Sequence, residues 1–417
     1  MKLIKYSKYK NSWIDWIWEI PEDWEVKKMN WNIKFDIGFT PSTWNDLFYD
    51  WNEIWITIWD MKEEYITDSK SYLSELWVKW YKKVKKWSLL YSFKLSVWKV
   101  AFAWKDLYTN EAIASFKNNN NYDLKYLYYH FPDSLVNFWT ENIYWAKMLN
   151  QELIKSSKVL FPPLQTQQKI STFLDSKTLQ IEKLIEKDKN LIDLLKEKRV
   201  SLINQAVTKG LDWKLNKFKH LFNFSKWLNI TKENLEDEWI PCVNYWEIHS
   251  KYGFELDPEI NLLKCVSEDY LKISRKSLLK KGDFIFSDTS EDLKWSWNFT
   301  YLNSDIKTFA GYHTVIARHI WNINSRFFAY FFDSELFRSQ IRKVVKWVKV
   351  YSITNSILND TLIWYPERTL QDDIVIFLDR ETVKIDNHIK KVERRIELYE
   401  EYKKSLIYSV VTGKVEV

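Results

Sequence analysis

A chain of 417 residues is long enough for two or three domains with cores of their own, and its formal charge of +6, from 62 basic and 56 acidic residues, permits an anionic partner without requiring one. No apolar run approaches the ~18 residues of a membrane helix, and the opening MKLIKYSKYKNSW lacks the apolar core of a secretion signal, so a soluble cytoplasmic protein with no membrane role is expected. Cys242 and Cys265 are the only cysteines and form no CxxC, which argues against a zinc cage or a disulfide framework.

The composition has one anomaly, 25 Trp against 6 Gly. Ordinary usage of about 7% would place roughly 29 glycines in a chain of this length. The two residue types together reach a normal glycine total, with the split inverted. Trp87 follows Lys85-Lys86 and precedes Ser-Leu-Leu-Tyr-Ser, where the second half of the chain has Gly282 after Lys280-Lys281 and before Asp-Phe-Ile-Phe-Ser. A turn residue with positive φ suits that slot and an indole does not. Trp59, Trp98, Trp295 and Trp297 occupy similar turn-like places. One reading is that most of these codons are translated as glycine in the cell; the other is a Trp-rich surface that stacks on bases or sugars.

In chain order, residues 1–25 are an extended lead-in. Residues 26 to about 160 alternate short β-like runs, such as Trp55-Ile-Thr-Ile58 and Ser88 to Phe93, with turn clusters and helical pieces near 122–130 and 150–156. Pro162-Pro163 end this part and can start a helix but not continue one. A long helix is predicted from Gln167 to Gly210, and the pattern recurs from Gln371 to Thr412, with Phe173-Leu174-Asp175 matching Phe377-Leu378-Asp379 and Ser201-Leu202-Ile203 matching Ser405-Leu406-Ile407. A constant offset of this kind marks an internal duplication.

Both helical stretches carry a seven-residue repeat. One row in the first is Leu174, Ile181, Asp188, Leu195 and Leu202, with Thr178, Ile185, Ile192, Arg199 and Ala206 beside it; the second copy has Leu378, Ile385, Val392, Tyr399 and Leu406 beside Thr382, Ile389, Ile396, Lys403 and Val410. Each helix would run about 60 Å at 1.5 Å per residue. Two seams in matched register predict an antiparallel intramolecular coiled coil. The expected fold is therefore α+β: a strand-rich domain over 1–164, a spacer helix over 165–211, a second strand-rich domain over 212–366, and a second spacer helix with a tail over 367–417. The two strand-rich parts echo each other only loosely, through Asp23-Trp24 and Asp212-Trp213 and the lysine-pair strand entry.

Catalytic patterns are missing from the sequence. It has no HExxH and no EF-hand spacing, and the six histidines are scattered. Even with tryptophans read as glycines, no GxxxxGK[ST] loop emerges and no GxGxxG follows a strand. A chain that catalyses nothing alone is expected.

The stretches IDWIWEIPEDWEVKK, DIGFTPST, WITIWDM, KLSVWKVAFAW, YTNEAIASF and FLDSKTLQIEKLIEKDKNLIDLLKEKRVSLINQAVTKGL resemble the specificity subunit of type I restriction-modification enzymes. Against that family's pattern, glycine is expected at Trp18, Trp59, Trp98 and Trp104, and tryptophan at Trp16, Trp24 and Trp55. The resemblance implies two target-recognition domains, each reading one half of a split site in double-stranded DNA, and helices that set the gap between the halves. It also implies docking of two methyltransferase subunits and of motor-nuclease subunits. No cofactor is expected in this chain; S-adenosylmethionine, ATP and magnesium would belong to those partners. Candidate DNA contacts on presumptive loops of the matched motifs are Thr40, Ser42, Thr57, Lys94, Lys99 and Asn110, and at analogous places Lys226, Asn229, Asn244, Ser287, Asp288, Lys294 and His313. The clusters Lys79, Lys82, Lys83, Lys85, Lys86 and Arg338, Arg342, Lys343, Lys346, Lys349 are further phosphate or partner candidates, or simply charged helix faces. The competing readings are a stand-alone methyltransferase or nuclease and a coiled-coil scaffold with no DNA role.

Overall fold

The structure is a computed structural model that describes residues 4–41, 52–94, 98–135, 140–141, 147–208, 213–290, 298–344, 351–352 and 355–417. Contacts divide the chain into two compact units, residues 1–187 with 394–417 and residues 188–393.

The first unit is built on a five-stranded sheet. Its strands are β1 (Phe35–Ile37), β2 (Tyr65–Ile66), β3 (Leu89–Ser92), β4 (Val100–Ala103) and β5 (Ile113–Phe116), lying side by side in the order β1-β5-β3-β4-β2. β2 joins β4 in parallel and the other neighbours are antiparallel. β3 and β5 are buried along their whole lengths, which explains why they read as apolar runs rather than alternating ones. A three-stranded sheet of Glu53–Ile56, Ser71–Leu73 and Tyr108–Thr109 lies beside it. Helix α1 (Leu124–Ser134) begins at Asp123, whose carboxylate accepts from the Lys125 N–H at 2.7 Å, and buries Tyr126, Leu127 and Phe131 in the core with Tyr91 and Phe116.

The long helices are α2 (Leu164–Thr208) and α5 (Arg368–Val411). α2 begins directly after Pro162-Pro163, and both seams predicted from the heptads are buried or half-buried. In the first unit Ile170, Leu174 and Ile181 of α2 pack with Leu406, Val410 and Val411 of α5. The start of one helix therefore meets the end of the other. The C-terminal residues belong to the same core: Gly413 lies against Pro21 and Trp24, and the Tyr9 hydroxyl donates to the Gly413 carbonyl at 3.2 Å.

The second unit repeats the plan. Its strands β6 (Phe222–Lys226), β7 (Phe254–Leu256), β8 (Phe284–Ser287), β9 (Phe299–Leu302) and β10 (Thr314–His319) lie in the order β6-β10-β8-β9-β7, again with one parallel pair, β7 on β9. Each strand occupies the place of the one five numbers earlier. The side sheet recurs as Ile240–Val243, Cys265–Val266 and Phe309–Ala310. Two further helices matter here, α3 (Tyr245–Ser250) and α4 (Ser325–Asp333); the latter corresponds to α1 and packs Phe328 and Phe332 against Phe222 and Phe284. At the helix pair of this unit Ile203 and Val207 of α2 meet Val375 and Leu378 of α5, antiparallel as in the first. Arg199, a charged residue in a seam row, is held by Asp386 of α5 with Nε to Oδ1 at 3.2 Å.

The loose sequence echo thus conceals an identical strand order. Topology is conserved through backbone pairing and a buried apolar pattern, which many different side chains satisfy.

A polar clamp ties each strand-rich part to its own long helix, and its geometry is repeated. The Tyr129 hydroxyl donates to Asp175 at 2.6 Å and lies 3.3 Å from the Thr178 hydroxyl; Tyr330 does the same with Asp379 at 2.6 Å and Thr382 at 3.3 Å. Gln167 donates to the Pro162 carbonyl and accepts from the Asp123 N–H, both at 2.9 Å, while Gln371 bonds Pro366 at 2.9 Å and the Asn324 N–H at 3.0 Å. The cations differ: Lys125 sits between Glu64 and Asp175, whereas Arg326 grips Asp379 through Nε at 2.7 and 2.8 Å and also reaches Glu255.

Candidate nucleic-acid interface

In the second unit the ends of β6, β8 and β10 frame an open groove of about 520 Å³ lined by Ser225, Lys226, Trp227, Asn229, Asp288, Thr314, Val315 and Asn355. Three of the residues singled out from sequence, Lys226, Asn229 and Asp288, meet there, and a fourth, His313, stands at the rim with Nδ1 3.3 Å from Asp288 Oδ1. Asp288 follows β8, and its N–H donates to the His313 carbonyl at 3.1 Å. His313 has φ +57, a left-handed conformation uncommon for a side chain of its size. Burial pushes the Asp288 carboxyl above the usual range, with His313 opposing that shift.

A hydrogen-bonded network supports the segment behind the groove. His249 of α3 approaches the Ser287 hydroxyl at 2.8 Å and the Thr289 carbonyl at 2.9 Å through Nε2, and Asn298 at 3.1 Å through Nδ1. Nε2 facing a carbonyl oxygen makes it the protonated nitrogen, leaving Nδ1 to accept from the Asn298 amide. Ser287 is buried, with its hydroxyl donating to the Thr289 carbonyl at 2.8 Å. Asn244 is also buried: it precedes α3, its N–H donates to Glu247 at 3.2 Å, and its side-chain amide has no hydrogen-bond partner among the described residues. Lys294 lies outside the described residues. Sequence reading missed His249, Asn298, Ser225 and Asn355, since nothing in local spacing links α3 to the start of β9.

In the first unit Thr57, Lys99 and Asn110 gather around the end of the Glu53–Ile56 strand. Lys99 Nζ donates to the Ile58 carbonyl at 3.0 Å, the Asn110 N–H donates to the Ile56 carbonyl at 2.9 Å, and Thr57 bonds Asp60 at 2.8 Å. Exposed Thr40 donates to Glu111, the neighbour of Asn110. Lys94 sits apart, with Nζ 6.0 Å from the Phe93 ring centroid, and Ser42 lies outside the described residues. Most of the lysine cluster is already neutralised: Lys82 pairs with Asp36 at 2.6 Å, Lys83 with Glu53 at 2.6 Å and Lys85 with Asp106 at 2.8 Å. Arg338 is likewise bound to Asp333 at 2.9 Å and Arg342 to Glu335, while Lys346 and Lys349 lie outside the described residues.

Among the described residues no group of three or more His, Cys, Asp or Glu side chains is placed to hold a metal ion, and no helix is long and apolar enough to cross a membrane.

Residues 21–193 match the family model of the type I restriction modification DNA specificity domain. Two solved structures are similar over nearly their whole lengths. One is a chain described for complex assembly and conformational transition of the type I R-M system, at 11% identity and TM-score 0.74, covering 95% of this chain and 99% of that one. The other is the HsdS subunit from Thermoanaerobacter tengcongensis, at 11% identity and TM-score 0.56, covering 95% and 98%. At such identity the likeness establishes the fold, two strand-rich domains separated by long helices.

Proposed function

We propose that this chain is the DNA-sequence-specificity subunit of a type I restriction-modification assembly, in which each unit reads one half of a split target and the helices α2 and α5 set the gap. The observation that carries this reading is the doubling: one strand order occurs twice, each copy clamped to a long helix, while the side chains at equivalent surface positions differ. Two readers of shared plan and different chemistry suit a bipartite, asymmetric site. Methyltransferase and motor-nuclease subunits would dock on this chain, and methyl transfer from S-adenosylmethionine and the ATP- and magnesium-dependent steps would belong to them. Adding one heptad to each long helix is expected to widen the gap between half-sites by about 10 Å, roughly three base-pair steps, with both half-sites unchanged. The positions of methylated adenines in a host carrying the complete system report this; an unchanged gap would count against the helices as a ruler.

We infer further that many of the 25 tryptophans are glycines in the protein the cell makes. Trp13, Trp87, Trp98 and Trp239 have φ of +56, +68, +139 and +96, a region that suits glycine. Trp87 and Gly282 (φ +87) occupy the same turn, each donating its N–H to the facing strand at 2.7 Å, to Ala103 and Leu302 respectively. The exchange also runs the other way: Gly38 and Trp227 precede Phe39 and Leu228, whose N–H groups bond Thr109 and Ala310 at 2.8 Å in equivalent places. Trp18 and Trp59 are 79% and 81% exposed, whereas Trp24 and Trp55 are buried at 0% and 7%. Peptide mass spectrometry of the protein from its native host is expected to find glycine at 87 and 98 and tryptophan at 24 and 55. In protein made with the standard code, Trp87→Gly should stabilise by about 1 kcal/mol through release of the left-handed strain. Tryptophan at 87 in the native peptide would overturn the inference.

A further inference from the structure

The two units differ at one equivalent position that borders the groove. Phe93 follows β3 and is 1% exposed within the first unit's core, whereas Asp288 follows β8 and lines the groove with a partly exposed side chain. A carboxylate is an unusual lining for a surface that meets DNA, because phosphates repel it. It has only acceptors to offer, so it can bond only a partner that carries a donor. In the major groove the bases present just two such donors, the exocyclic amines of cytosine and adenine. We propose that Asp288 is a specificity-determining residue of the second unit and accepts a hydrogen bond from the exocyclic amine of one base, N4 of cytosine by preference, within its half-site.

Three observations besides the position support the assignment. Asp288 lines the groove with its side chain 22% exposed, and its enclosed Oδ1 faces Nδ1 of the half-exposed His313 at 3.3 Å, a contact that orients the carboxylate. The carboxylate is held in place from behind, since the Asp288 N–H bonds the His313 carbonyl and the flanking Ser287 and Thr289 are both tied to His249. Lys226 and Asn229 stand in the same groove and supply a phosphate partner and an amide that both donates and accepts. A fixed acceptor in a groove that also holds Lys226 selects a base amine and, by repulsion, disfavours the acceptor-only edges of guanine and thymine at that position.

The inference rests on the DNA-reading function proposed above, and the test separates the two. The target is first mapped from adenine methylation in the host. Full-length wild-type, Asp288→Ala and Asp288→Asn proteins are then titrated against duplexes in which, one position at a time, cytosine or adenine is replaced by an analogue lacking the exocyclic amine. Wild-type protein is expected to lose about tenfold or more in affinity at one position of the second half-site, and Asp288→Ala to show no further loss there while keeping its penalties elsewhere. A loss with the cytosine analogue identifies N4, and one with the adenine analogue identifies N6; either supports the assignment. Asp288→Asn keeps the side-chain shape and should relax discrimination at the same position, which covers the case in which the alanine variant folds poorly. Identical penalty profiles for wild type and both variants would overturn the role of Asp288 and leave DNA reading intact. Absence of any sequence preference in wild-type protein would overturn both.

Discussion

Exchanging residues 1–160 together with 394–417 for those of a relative with a different target should change one half of the methylated DNA sequence and leave the other as it was. The first unit has its own core, in which Trp24, Tyr126, Leu160, Leu406, Val410 and Val411 belong to one cluster. The C-terminal residues matter to this design. Ile4 pairs with Glu416 in an antiparallel bridge, and the Tyr126 hydroxyl reaches the Val411 carbonyl at 3.4 Å. A chimera that exchanges residues 1–160 alone faces a mismatched end of α5, and loss of packing at one or two buried aliphatic side chains costs about 2–5 kcal/mol each in well-packed cores. The shorter exchange should therefore methylate the same new half-site at a lower level of folded protein. Mapping methylated adenines and measuring soluble yield checks both statements. A change in both half-sites would mean that the units do not read independently.

Removing the acceptor of the clamp should have unequal consequences in the two units. Asp379→Ala strips Arg326 of both bonds to Nε and Tyr330 of the acceptor of its hydroxyl, whose pKa is pushed up to about 12 by burial and then by Asp379. Breaking a buried ion pair costs about 3–5 kcal/mol. The Asp379 side chain is 34% exposed and Arg326 keeps Glu255, so a loss of about 2 kcal/mol is expected. Asp175→Ala leaves Lys125 with Glu64 and should cost about 1 kcal/mol, because Lys125 makes a single ammonium contact where both Asp379 oxygens share the Arg326 Nε–H. Urea denaturation of the two variants against wild type measures the difference. Equal losses would show that the shared Nε–H of Arg326 adds nothing to the second clamp.

Much of this architecture was legible in the residues. The heptad rows of α2 and α5 predicted which faces are buried, since a helix with an apolar seam must cover it, and Leu174, Ile181, Leu378 and Val392 are all inside. The matched Phe-Leu-Asp motifs pointed to a duplication, and the pairing of Trp87 with Gly282 anticipated a turn in which both have positive φ. The candidate interface was legible only in part. Lys226, Asn229, Asp288 and His313 do come together, because they end neighbouring strands. Ser287 and Asn244 were picked at analogous places but are buried, since β8 is covered along its whole length and Asn244 holds the N-cap position ahead of α3.

By itself, then, the sequence determined the periodic parts: two long helices with buried seams, short apolar strands, and a turn position that calls for glycine. These follow from local geometry, in which 3.6-residue and 2-residue repeats, prolines and φ preferences act over a few neighbours. Only the tertiary structure decided what is non-local. It revealed the common strand order β1-β5-β3-β4-β2 and β6-β10-β8-β9-β7 beneath dissimilar residues, the joining of 394–417 to the first unit, and the meeting of His249 with Ser287 and Asn298 behind Asp288. Such contacts link residues tens to hundreds of positions apart, and they are selected by which buried faces and unpaired polar groups can satisfy one another once the sheets have formed, a condition no short stretch of sequence carries.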